Sequence, residues 1–110
     1  METWDLSRLG IEPHRPKVLS SDGEGRAIAI NLPSGEQLQE HQVHERAWLL
    51  VVSGAIDIAE PGGEAVSGGA GLLASFDPKE RRMVTATEDA LLLLLLSPWP
   101  GEGHPSNNPR

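Results

Sequence analysis

Turn-forming residues punctuate this sequence at short intervals, and that punctuation limits the fold more than any other feature. Ser21-Asp22-Gly23, Pro33-Ser34-Gly35, Ser53-Gly54, Glu60-Pro61-Gly62-Gly63, Ser67-Gly68-Gly69 and Asp77-Pro78 separate short segments rich in apolar residues. A chain broken this often cannot form long helices. The rhythm of short strands and Gly/Pro turns is that of an all-β sandwich or barrel.

The segments between the turns support this. Arg26-Ala27-Ile28-Ala29-Ile30-Asn31-Leu32 alternates and reads as a strand, as does Gly54-Ala55-Ile56-Asp57-Ile58-Ala59. Trp48-Leu49-Leu50-Val51-Val52 is continuously apolar, the pattern of a strand covered on both faces. The Ser53-Gly54 step between these last two suggests a hairpin turn. Leu91 to Leu96 has a helical residue type, but six residues bounded by Asp89 and Ser97-Pro98 are too few for a helix, so a buried strand is expected. The polar run Gly35 to Arg46 is open between a helix and a strand facing a polar cavity.

The chain has 110 residues, which fits one domain. A domain of this size buries somewhat under about 70% of the surface its unfolded chain exposes, enough for a core without staples. There is no cysteine, so disulfides and thiolate chemistry are excluded. A formal net charge of −7 argues against nucleic-acid partners, which require a basic surface, and against anionic membranes. The segment Met1-Glu2-Thr3-Trp4-Asp5 is acidic and does not resemble a secretion signal. The longest apolar run, Ala90 to Leu96, is far short of the roughly 20 residues that span a bilayer. A cytoplasmic protein is the expectation.

Two stretches carry chemical information. Gly35, His41 and Gly54 fall at the spacing of a motif with glycine, five residues, His-x-His, a glutamate three or four residues on, and a closing glycine. Gly71-Leu72-Leu73-Ala74-Ser75-Phe76-Asp77-Pro78-Lys79-Glu80-Arg81-Arg82 follows the spacing of a second motif, with a proline in its turn. Together they resemble the paired motifs of the small single-domain, RmlC-like cupins. The resemblance covers roughly residues 26–97 and rests on spacing and strand rhythm more than on identities. It implies a double-stranded β-helix, or jelly-roll barrel, at 26–97, preceded by an arm and edge strand at 1–25 and followed by a Pro-rich arm at 98–110. It also implies a homodimer, with Trp4, Trp99 and the leucine-rich strand supplying apolar interface.

Metal-binding cupins hold a divalent transition ion with two histidines, a glutamate and the histidine of the second motif. Those positions correspond here to His41, Val43, Ala47 and Arg82. Only the first is a ligand, and a guanidinium has no lone pair to offer a metal. A standard metal centre is therefore not expected, and no cofactor is favoured. The leading reading is a barrel that binds a small anionic molecule through Arg82 and His41, lined by Trp48, Phe76 and Met83. A second reading is a metal-dependent oxygenase or isomerase with a non-standard site at His41 and His44. These two share a face on a helix, but on a strand only across a bulge. A third is a structural or regulatory dimer without a working pocket.

Overall fold

A computed structural model describes residues 1–21, 25–38, 46–60, 63–77 and 82–97. Within them the chain forms seven strands: β1 (Lys17–Ser20), β2 (Arg26–Leu32), β3 (Gln37–Leu38), β4 (Arg46–Ala59), β5 (Ala65–Gly69), β6 (Leu73–Phe76) and β7 (Met83–Ser97). A single short 3-10 turn, Leu6–Arg8, precedes them and is capped by the Asp5 carboxylate, which accepts from the Ser7 N–H. No helix among the described residues is long and apolar enough to cross a membrane.

Two long antiparallel strands organise the barrel. β4 and β7 pair along nearly their whole length, from Arg46↔Ser97 to Ala59↔Met83. At one end β2 joins β7 and β6 joins β4, with β1 outside β2. At the other end β3 joins β7 and β5 joins β4. The two half-sheets roll toward each other about this shared ribbon, which is the jelly-roll solution to burying one face of a sheet.

The roll requires a bend, and the chain makes it at Ser53–Ala55. Register between β4 and β7 shifts there three times, so that Val51↔Leu92 gives way to Ile56↔Ala86. One more residue is consumed on β7 than on β4. This reverses which parity of β4 faces inward. Leu49 and Val51 point inward before the bend, and Ile56 and Ile58 after it, all at 8% exposure or less. Gly54 sits at the bend with φ +83, and its backbone lies so close to β7 that a Cβ would stand 2.1 Å from the Asp89 carbonyl oxygen. The Ser53-Gly54 step is thus a bulge inside one continuous strand, which corrects the expected hairpin. Both structures need glycine at positive φ, so the local sequence does not separate them.

The expected strand at Arg26–Leu32 matches β2, and the leucine run lies within β7. Leucine has no intrinsic preference for strand here; packing imposes it. Leu92 is 0% and Leu96 5% exposed, whereas Leu95 is 37% exposed on the opposite face. The run alternates although its residues do not. The Trp48–Val52 stretch behaves likewise, with Leu49 and Val51 buried and Trp48, Leu50 and Val52 half-buried. Its outer face is only partly covered, not enclosed as the apolar run suggested. Of the polar run, Gln37–Leu38 is strand and Arg46 opens β4; 39–45 lie outside the described residues.

The N-terminal arm is fastened across the outside of β2. The Asn31 Nδ2 donates to the Ile11 carbonyl at 2.8 Å, Pro13 bridges to Asn31, and Ile11 is buried. This attachment brings Pro16 to the side of the barrel.

Candidate functional site

One end of the barrel holds a cavity of about 400 Å³. Its described lining follows from strand parity. β2 contributes Arg26, Ile28 and Ile30, β7 contributes Val84, Leu94 and Leu96, and Leu49 comes from β4; Leu38, Pro16 and Arg82 complete it. Arg26, Ile28 and Ile30 alternate along one strand, so all three share the inward face. The cross-strand rows Arg26↔Leu96↔Ala47 and Ile28↔Leu94↔Leu49 then set their depth. Ile30, Leu49 and Val84 are buried, Arg82 is half-buried and Arg26 is exposed. The cavity therefore has an apolar interior and two guanidiniums toward its mouth. No Asp or Glu occurs among the described lining residues.

Arg82 is held by an aromatic ring. Its guanidinium carbon lies 4.5 Å from the centroid of Phe76, which is 5% exposed in the row Phe76↔Ala47↔Leu96. Stacking of this kind fixes the plane of an arginine head that would otherwise sample many rotamers. Phe76 thus belongs to the core under Arg82 and is absent from the described lining. A second arginine, Arg46, is engaged nearby: it bonds Asp77 Oδ1 at 2.6 Å and Ser75 Oγ at 3.1 Å.

Among the residues singled out in the sequence, Arg82 lines the cavity. Trp48 and Met83 do not, and the reason is parity. Each adjoins a cavity residue in the same strand, Leu49 and Val84 respectively, and adjacent strand residues face opposite sides. Trp48 lies on the outer face opposite Leu95, and Met83 is 39% exposed beside Ala59. His41 and His44 lie outside the described residues, as do Val43 and Trp99. Arg26 and Pro16 were not anticipated. Arg26 was recoverable, because it keeps the same alternation as Ile28 and Ile30. Pro16 had no local signal, since its place depends on how the arm crosses β2.

The donor set can be tested against a divalent cation at two of the four positions that the motif resemblance implies. Ala47 is 0% exposed and offers only a methyl group. Arg82 brings a permanent positive charge to the cavity. Neither fits a divalent ion. Among the described residues no group of three or more His, Cys, Asp or Glu side chains is placed to hold a metal.

No family model and no curated protein matches this sequence. Solved structures do. An RmlC-like cupin protein from Desulfovibrio desulfuricans superposes with a TM-score of 0.78 at 13% identity, covering 88% of this chain and 96% of that one. An uncharacterized conserved protein with a double-stranded β-helix domain from Klebsiella pneumoniae gives 0.76 at 14% identity, over 88% and 90% of the two chains. A cupin 2 conserved barrel domain protein from Salinispora arenicola gives 0.71 at 18% identity, over 88% of each chain. At these identities the likeness is one of fold. The chain has the fold of a small single-domain, RmlC-like cupin: a double-stranded β-helix built on the β4–β7 ribbon.

Proposed function

We propose that this protein binds a small anionic organic molecule inside its barrel, without the metal that other cupins use, and that Arg82 holds the anionic group with His41 as its partner. The observation that supports the reading is Arg82 in the cavity lining; the motif resemblance puts this residue where metal-binding cupins carry their second-motif histidine. A guanidinium can grip a carboxylate or phosphate with two parallel N–H donors. The chain as a whole carries −7, so free anions are repelled at long range; the guanidiniums of Arg26 and Arg82 supply positive charge locally, at the cavity.

Both guanidiniums also take part in other interactions. Five N–H donors on each leave capacity for a ligand beside those partners.

The test is calorimetric titration of the full chain with octanoate and with octanamide, its uncharged analogue, in wild type and in Arg82→Ala. A charge-assisted hydrogen bond of ordinary strength predicts that octanoate binds about ten- to a hundredfold more tightly than octanamide, and that Arg82→Ala removes most of the difference. Equal affinities for acid and amide would refute the anionic reading.

A further inference from the structure

From the division of the cavity we infer that its ligand is an amphiphile: a monoanionic organic acid of about ten to fifteen non-hydrogen atoms, whose apolar body enters the barrel while its head stays at the mouth. This rests on the anionic reading above and names the class of molecule that satisfies it.

The polar and apolar parts of the cavity are segregated. Arg26 is exposed and Arg82 half-buried, whereas Ile30, Leu49 and Val84 are each at most 6% exposed. Along β2 exposure falls from Arg26 through Ile28 to Ile30, and apart from the two arginines and Pro16 the described lining residues are all aliphatic. A compact, fully polar anion such as phosphate would engage the arginines and leave this aliphatic part filled with water that finds no hydrogen-bond partners there. Such water is unstable beside aliphatic walls. An alkyl or aryl body would replace it and bury apolar surface.

Size sets the upper limit. At about 30 Å³ for each water-sized unit, a cavity of about 400 Å³ takes on the order of ten to fifteen non-hydrogen atoms. A straight-chain acid of ten to twelve carbons has that many. Ligands of this class need no covalent chemistry from the protein, and the proposal includes none.

A chain-length series tests it. Alkanoates from butanoate to tetradecanoate, titrated below their micellar concentrations, should gain about fourfold in affinity per methylene while the added carbon is buried. The gain should stop once the cavity is full, at about ten to twelve carbons. In Ile28→Trp, which fills the half-buried middle of the cavity, the break should move to a shorter chain. Melting curves on the same variant confirm that it is folded, and Leu94→Trp provides a second filling variant on the neighbouring strand. Affinity independent of chain length, or a break that stays fixed in both folded variants, would overturn the inference. The underlying reading fails differently: there the acid and the amide bind alike, whatever their length.

Discussion

The bend in β4 makes the sharpest energetic prediction. Gly54 combines two demands, a φ of +83 and an approach to β7 that leaves no room for a Cβ. In Gly54→Ala the new carbon would lie 2.1 Å from the Asp89 carbonyl oxygen and 2.7 Å from the Ala90 Cα. Both are backbone atoms, so no side chain can swing aside. The positive φ costs about 1–2 kcal/mol for an alanine. Relieving the overlap by parting two paired strands adds about 1–3 kcal/mol, the usual range for overpacking. The sum, about 2–5 kcal/mol, is a large share of a net stability of roughly 5–15 kcal/mol. Gly71 is the internal control, because its φ is +96 but nothing lies within 4 Å of its built Cβ. Gly71→Ala should therefore carry the backbone strain alone. Urea unfolding of wild type and both variants measures the difference: with an overlap of about 1–3 kcal/mol and a slope of about 1–3 kcal/mol per molar, Gly54→Ala should shift the midpoint down by about 0.3–3 M relative to Gly71→Ala. Midpoints that agree within the error of the fit would show that the strands relax freely, and that Gly54 does not fix the bend.

Further outcomes follow from the same structure. Leu92→Ala should cost about 2–5 kcal/mol, because its side chain is 0% exposed, while Leu95→Ala on the outer face should cost less than about 1 kcal/mol; thermal melts that ranked them equally would contradict the alternation within β7. Arg82→His should raise calorimetric affinity for nickel or zinc, and no gain would argue against placing residue 82 at the metal-ligand position. The expected homodimer can be tested by sedimentation equilibrium: changing Leu95, 37% exposed on the outer face of the leucine-rich strand, to Asp should weaken self-association. A wild-type monomer at every concentration would remove the dimer from the account.

The features legible in the sequence are those set by neighbours along the chain. Arg26 to Leu32 alternates, and a turn brackets each side, so β2 could be located residue by residue. The leucine run was legible as a strand only through its length, and which leucines face inward depends on pairing with β2 and β4. The bend at Gly54 was misread as a hairpin because a bulge and a tight turn ask for the same residue; the distinction lies in β7, some 35 residues away. The same long-range geometry explains the site. Spacing in the second motif singled out Arg82, which lines the cavity, but Met83 beside it in sequence does not. Arg26 and Pro16 arrive from a strand and an arm that the motif does not contain.

The central claim is that this barrel offers a cation-lined apolar cavity in place of a metal centre. Elemental analysis of untagged protein, purified without chelators and referred to its molar concentration, tests that claim most directly. The account predicts transition metal at background, well below one ion per chain. A near-stoichiometric metal would contradict it, and would move the chemistry of the barrel to a site built on His41 and His44.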